Sequence, residues 1–200
     1  MNNSVVLTSD RGSFSDYSGA NALGYIASMP KRLVPRMFMD KFFNPPMRAY
    51  GTGEAVLAPY ALRKVEAILS ASGVSDVIVS PPEHLKRVVS SSTKVVGITA
   101  HDPYGLSPVS TKLSLIFGGG ESWTAAYFTE LSETIKDLKE KYSFKVFAGG
   151  PGIWQLDLKR LDWVDVIFSG EAETDLPPMI HDILQSKPTK DKVYGKGSNY

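Results

Sequence analysis

Residues able to bind a polar or anionic ligand recur at four points where an apolar run of the sequence stops. The candidate binding residues at these points are Ser9, Asp10, Thr99, His101, Tyr104, Gly149, Gly150, Pro151, Gly170 and Glu171. Glycines let a ligand approach the main chain, and exposed N–H groups bond polar or anionic atoms. The pattern predicts a ligand site built largely from turns, although the same glycines would also serve simply to make tight turns.

The elements that must position these residues alternate between β-branched runs and segments of helical period. Strands are predicted at residues 5–8, 76–79, 94–99, 144–147 and 165–168. Helices are predicted at 59–72, 82–90, 123–142 and 175–184, the last capped by Thr174. This alternation is typical of a doubly wound, mostly parallel five-stranded α/β sheet of the Rossmann-like or flavodoxin-like kind. In such sheets ligands bind beyond the carboxyl ends of the strands, where the candidate residues fall.

Composition excludes several classes of function. The chain has 200 residues, 42% of them hydrophobic, which fits one domain with a sizeable core. A net charge of +1 gives no overall field for nucleic acid. Because there is no cysteine, this chain by itself has no disulfide, thiolate zinc site, iron–sulfur cluster or cysteine nucleophile. With no signal-like start and no long apolar run, we expect a cytoplasmic protein without a membrane partner.

Familiar nucleotide motifs are missing. The residues after the first predicted strand read DRGSFS, without the G-x-G-x-x-G fingerprint, and no G-x-x-x-x-G-K-[ST] occurs anywhere. Neither NAD nor ATP is therefore favoured. The glycines at 118–120 precede a helix but lack the lysine of a phosphate loop, so we interpret them as a flexible hinge.

Three segments together resemble a known family. They are KVVGIT at 94–99, FKVFAGGPG at 144–152 and VDVIFSGEAE at 164–173. In this order they resemble the amino-terminal cobalamin-binding domain of cobalamin-dependent radical SAM enzymes, over residues 59–184. The resemblance implies that Thr99 faces the nucleotide tail of cobalamin, that Gly149 and Gly150 make room for it, and that Gly170 and Glu171 border the tail or the corrin amides. Without a ligand, Glu171 and Glu173 would simply be a pair of carboxylates that stabilise a helix dipole.

The cobalt ligand is the point at which the chain departs from other cobalamin domains. Those of the methionine-synthase type carry D-x-H-x-x-G after the first strand, whereas here Asp10 is followed by Arg11, Gly12 and Ser13. The resemblance implies cobalt without a protein imidazole, as is common among the radical SAM relatives, and no metal ligand is assigned. His101, next to Asp102, keeps a rival claim to that role.

The function implied by the resemblance is a cobalamin-binding module of a radical SAM enzyme, a methyltransferase or a close relative. Residues 1–185 would form this domain, with a long irregular insertion at 10–53, and 186–200 a polar tail or linker. S-adenosylmethionine and the 4Fe–4S cluster would belong to a separate radical SAM barrel domain, in cis or in trans, so the chain alone is expected to be a binding domain. Residues 100–121 would form a lid over the corrin. A docking face for the barrel is predicted at Met37, Phe38, Met39, Phe42 and Phe43.

Two other functions stay open at this point. A non-catalytic, flavodoxin-like sensor or response module would need an acidic cluster and a phosphorylatable aspartate, a pattern that Asp10 and Asp102 meet in part. It would also need a lysine after the fourth strand, where Gly149, Gly150 and Pro151 stand instead. A SAM- or nucleotide-sugar-binding transferase domain shares the fold class.

Overall fold

One parallel sheet organises the part of the chain that the computed structural model describes, residues 3–16, 21–158, 161–188 and 192–194. Its six strands lie in the order β2-β1-β3-β4-β5-β6. They are β1 (Val5–Ser9), β2 (Val77–Val79), β3 (Val95–Thr99), β4 (Lys145–Gly149), β5 (Val166–Ser169) and β6 (Lys192–Tyr194). The five predicted strands are all present and the doubly wound α/β fold class is confirmed. The short β6, which the sequence did not predict, pairs in parallel with β5.

The strand order reverses between β1 and β3. The chain passes from β1 to β2 on one side of the sheet, and from β3 it continues through β4, β5 and β6 on the other side. Ser9 and Thr99 lie directly opposite each other at the carboxyl ends of these strands. The Ser9 hydroxyl donates a hydrogen bond of 2.8 Å to the Thr99 carbonyl oxygen. In open α/β sheets this reversal opens the ligand-binding crevice.

Eight helices surround the sheet in the described residues. They are α1 (Arg11–Phe14), α2 (Arg36–Phe38), α3 (Tyr60–Ala71), α4 (Leu85–Val88), α5 (Pro108–Ile116), α6 (Trp123–Lys139), α7 (Ile153–Leu158) and α8 (Ala172–Leu184). The prediction that Thr174 caps the last helix is wrong, because α8 begins at Ala172, three residues before the predicted start, and Glu171 is its N-cap. Helices α1, α2, α5 and α7 were not predicted.

Both faces of the sheet are buried, as is usual for parallel sheets. Alternate strand residues such as Val6, Val96 and Val146 pack against helices α4, α6 and α7. The residues between them, including Val95 and Phe147, face helices α3 and α8. A cavity opens on the face covered by α3 and α8.

The insertion at 10–53 is held to the domain by short helical turns and a charged network. A 3₁₀ turn at Asn21–Ser28 and a π-helical turn at Met39–Phe43 flank α2. Asp40 in the π turn pairs with Arg11 of α1 at 2.8 Å and with Arg36 at 2.9 Å. Arg36 also pairs with Glu130 of α6. The insertion is thus anchored against α1 and α6 although its sequence shows little periodicity.

Candidate functional site

An apolar slot lies between the sheet and helices α3 and α8. Its volume is about 310 Å³, within the range of small-ligand pockets. Residues Val95, Gly97 and Thr99 of β3 form its floor, and Val65, Leu69, Leu176 and Ile180 are among its helical walls. The slot reaches the carboxyl edge of the sheet, where Gly149, Gly150, Gly170 and Glu171 line its mouth.

Gly97 explains why the slot exists in the middle of a buried strand. A Cβ atom at this position would lie 2.7 Å from Cδ2 of Leu7 on the neighbouring strand. Glycine therefore lets Leu7 pack close to β3 and leaves the floor of the slot without a side chain at its centre. Isolated glycine inside a strand often marks such a close approach, so KVVGIT contained a signal that the sequence analysis did not use.

A wider cavity, which we call the outer cavity, lies over the carboxyl edge of the sheet. Its volume is about 630 Å³. Three regions contribute to its lining. They are the turn after β1, which includes Asp10, the loop after β3, which includes His101, and the 3₁₀ turn of the insertion, which includes Ser28. Ala61 and Thr99 line both the slot and the outer cavity, so the two spaces adjoin at the switch point.

The two glycines at the carboxyl end of β4, Gly149 and Gly150, have different roles. Gly150 has φ +101°, and a Cβ there would lie 2.5 Å from Oγ1 of Thr99 and 2.8 Å from the Ala100 carbonyl oxygen. Its missing side chain accommodates the loop after β3. At Gly149 the nearest atom to a Cβ would be the Phe168 carbonyl oxygen at 3.7 Å, an ordinary contact. Of the two, Gly149 is the one whose missing side chain leaves space in the slot.

Asp102 anchors the loop that forms the rim of the outer cavity. Its carboxylate accepts hydrogen bonds from the Ser110 hydroxyl at 2.5 Å and from Nε2 of Gln155 at 2.8 Å. The Ser107 main-chain N–H and hydroxyl each donate to it at 2.9 Å. Burial raises the pKa of Asp102, but these hydrogen bonds outweigh it and the net pKa is lowered. These partners of Asp102 come from α5, α7 and the residue before α5, and its carboxylate thus holds the loop after β3 in place.

Asp10 is the buried acid at the end of β1. Its Oδ1 accepts a hydrogen bond of 3.0 Å from the Ser13 main-chain N–H, and Oδ2 accepts one of 3.1 Å from the Ser13 hydroxyl. These bonds cap α1. Burial raises the pKa of Asp10, and the Ser13 bonds and the charge of His101 oppose that rise only in part. Asp10 therefore places a polar side chain at the edge of the outer cavity while fixing the first turn.

The predicted site residues fall into three groups. Thr99, Gly149, Gly150, Gly170 and Glu171 line the slot, while Asp10, His101, Pro151 and again Thr99 line the outer cavity. Ser9 supports the floor behind them through its bond to the Thr99 carbonyl. Tyr104 lines neither cavity, because its ring packs edge-on against Phe128, 6.2 Å away, in the core on the other face of the sheet. The lid predicted at 100–121 contains α5, whose first residues border the outer cavity.

The sequence analysis missed the helical walls and the positive charge of Lys64. Lys64 of α3 and Glu173 of α8 form an ion pair at the slot, and both side chains are 43% exposed. Hydrogen bonding to Lys64 lowers the pKa of Glu173, and hydrogen bonding to Glu173 raises the pKa of Lys64. Lysine four residues into a helix gives no sequence signal of such a position.

Neither a metal cluster nor a membrane helix is found in the described ranges. There, no group of three or more His, Cys, Asp or Glu side chains is placed to hold a metal ion. None of the helices in those ranges has the length and apolar character needed to cross a bilayer.

Comparison with known proteins gives one similar solved structure. No protein-family model matches the chain, and no curated protein matches it. The similar structure is the radical S-adenosylmethionine methyltransferase TsrM from Kitasatospora setae, with tryptophan substrate and the SAM analogue aza-SAM bound. The two chains share 15% sequence identity at a TM-score of 0.49, over 94% of this chain and 27% of the other.

Proposed function

We propose that this chain is a cobalamin-binding module that serves a radical SAM catalytic domain, in a methyltransferase or a close relative. The observation that carries the proposal is the apolar slot, which adjoins the outer cavity at the switch point through Ala61 and Thr99. A ligand with a broad polar ring system and an aromatic tail matches this pair of spaces. The motifs KVVGIT, FKVFAGGPG and VDVIFSGEAE supply Thr99 at the junction and the glycines at the mouth of the slot, Gly149, Gly150 and Gly170.

The slot has the chemistry that a nucleotide tail requires. Its walls are aliphatic, with Val65, Leu69 and Leu176 among them, and suit a flat aromatic base. Polar groups are grouped near its mouth, where the Thr99 hydroxyl and the charges of Lys64 and Glu171 meet the carboxyl edge of the sheet. The corrin would lie in the outer cavity beside Asp10 and His101. Bound there, cobalamin would supply methyl-group transfer chemistry to the catalytic domain.

The buried state of Asp102 argues against a phospho-receiver. A phosphorylatable aspartate needs an exposed carboxylate, whereas Asp102 is 3% exposed and accepts bonds from Ser107, Ser110 and Gln155. Asp10 is also buried and bonded within its own turn. The two aspartates that favoured a response module from the sequence thus have structural partners.

The direct test is binding of hydroxocobalamin by the purified chain. We expect a spectral change on titration, low-micromolar or tighter affinity, and elution of the cofactor with the protein on a sizing column. Absence of both the spectral change and co-elution would contradict the proposal.

Filling the slot tests its location. Gly149→Leu places a side chain at the slot mouth without a strained backbone, and should weaken cobalamin binding at least about tenfold with the fold intact by circular dichroism. Gly51→Leu is the matched control, because a Cβ at Gly51 meets nothing within 4 Å. Equal affinity of the two variants would place the tail elsewhere.

Cobalt ligation gives a separate test. With no imidazole beneath the metal, the electron paramagnetic resonance spectrum of the cob(II)alamin form should lack nitrogen superhyperfine splitting. Splitting that disappears in His101→Ala would instead make His101 the axial ligand, a role that its place on the outer cavity permits.

A further inference from the structure

The charges of the slot are distributed unevenly between its two helical walls. Among the described residues that line the slot, Lys64 on α3 is the one with a positive charge. Glu171 and Glu173 stand opposite it at the start of α8. The remaining lining residues are uncharged, so any negatively charged group that enters the slot has Lys64 as its cationic side-chain partner.

Lys64 can readily exchange its present partner, Glu173, for another anion. The Lys64–Glu173 ion pair joins the two helices between which a ligand must pass. Since both side chains are 43% exposed, water screens the pair and its contribution to stability is small. An anion arriving at the mouth can therefore replace Glu173 at the Lys64 ammonium without a large loss of folding free energy.

We propose that Lys64 is a specificity-determining residue of the slot, which exchanges Glu173 for a phosphodiester group of the bound ligand. This inference rests on the proposed function, because the nucleotide tail of cobalamin carries such a phosphodiester between the corrin and the aromatic base. Glu173 acts as the competing anion and holds the lysine side chain at the mouth before the ligand arrives. The exchange accounts for the presence of one cationic side chain among the described residues that line the slot.

The test compares two corrinoids with the same ring. Hydroxocobalamin carries the phosphodiester and base, whereas cobinamide lacks both. Lys64→Met should weaken hydroxocobalamin binding about fivefold and leave cobinamide binding unchanged. Glu173→Gln should strengthen hydroxocobalamin binding about twofold, because the competing carboxylate is gone. Lys86→Met is the matched control, since Lys86 pairs with Asp137 at 3.2 Å in a similarly exposed ion pair outside the slot lining.

The outcomes separate this inference from the proposed function. If the unmodified chain binds neither corrinoid, the proposed function fails and this inference fails with it. If it binds hydroxocobalamin but Lys64→Met changes the affinity for both corrinoids equally, or for neither, the assignment of Lys64 alone is overturned. Thermal unfolding of each variant confirms that the exposed substitutions leave the fold unchanged.

Discussion

Gly150 has a backbone conformation that other residues adopt only with strain. Gly150→Ala should lower the free energy of unfolding by about 2 kcal/mol, because φ is +101° and the added Cβ would meet Thr99 and Ala100. Gly149→Ala, which adds a methyl group in ordinary contact, should change it by less than about 0.5 kcal/mol. Urea denaturation measures the free energy of unfolding of both variants. Losses of equal size would contradict the argument that a side chain at Gly150 strains the turn after β4.

Asp102 gives a second prediction at the scale of a single residue. Asp102→Asn keeps the shape of the side chain but turns one acceptor oxygen into a donor group facing Ser107 and Ser110 or Gln155. We expect the free energy of unfolding to fall by about 2 kcal/mol at neutral pH. Asp162→Asn is the control, because that side chain is 88% exposed. A loss of similar size in the control would contradict the anchoring role.

The lowered pKa of Asp102 sets the direction of its pH dependence. Burial raises this pKa, but the hydrogen bonds lower it by a larger amount. As pH falls, the unfolded chain therefore binds this proton at a higher pH than the folded chain does. The stabilisation is present above about pH 4 and is lost as pH falls through the folded-state value. The difference in unfolding free energy between the unmodified chain and Asp102→Asn should therefore shrink below pH 4. Asp10, whose raised pKa acts in the opposite direction, is common to both proteins and cancels.

Residue types at strand ends indicated the edge of the site but not its depth. Turn glycines and hydroxyl residues can be located from the ends of apolar runs, which is why Thr99, Gly149 and Glu171 were found. The walls of the slot are ordinary helix residues such as Val65 and Leu176, whose spacing shows only that they face inward. Whether an inward face meets a packed core or a cavity depends on the facing strand, here on Gly97.

At the scale of elements, the strands were predictable because β-branched runs in a buried parallel sheet are short and nearly continuous. Helix α5 was not predicted, although Ser107 caps it and Pro108 occupies its first turn, because Ser110, Thr111 and Ser114 lower its helix propensity. Helix α7 has six residues, too few for periodicity to be detected. The predicted start of the last helix, after Thr174, was wrong because α8 begins at Ala172, and Pro177 and Pro178 lie inside it.

The π-helical turn of the insertion separates phenylalanines that the sequence placed on one docking face. Met39 is fully buried and Phe43 packs against the cluster around Trp123 and Tyr127, so neither belongs to an exposed face. Phe43→Ser should lower the free energy of unfolding by about 2 kcal/mol, whereas Phe42→Ser, at a position 49% exposed, should change it by less than about 0.5 kcal/mol. Chemical denaturation of the two single variants measures these losses. A larger loss for Phe42→Ser than for Phe43→Ser would contradict the packing of Phe43 against this cluster.

At the scale of the whole molecule, an exposed apolar patch remains on the insertion. Met37, Phe38 and Phe42 are 66%, 44% and 49% exposed, and the two phenylalanine rings stack with centroids 6.1 Å apart. We propose this patch as the docking face for the radical SAM barrel domain, since methionine and aromatic side chains are enriched at interfaces.

The isolated chain should self-associate through that patch. Phe38→Ser combined with Phe42→Ser should reduce the average mass in light scattering without lowering the unfolding temperature by more than about 2 °C. Leu115→Ser is a control at another exposed apolar position, 78% exposed on α5. Equal reduction in the control would show that self-association does not depend on the insertion.

The slot has a consequence for the lifetime of the protein. Its lining includes Leu7, Val95, Phe147 and Phe168, which also belong to the hydrophobic core between the sheet and helices α3 and α8. We expect the proposed ligand tail to complete that core, and ligand-free chains to open more often along α3 and α8. Main-chain amides of those helices should exchange hydrogen for deuterium more slowly once cobalamin is bound, and proteases should cut the empty chain first. The amount of cobalamin available would then determine how much of the protein escapes degradation.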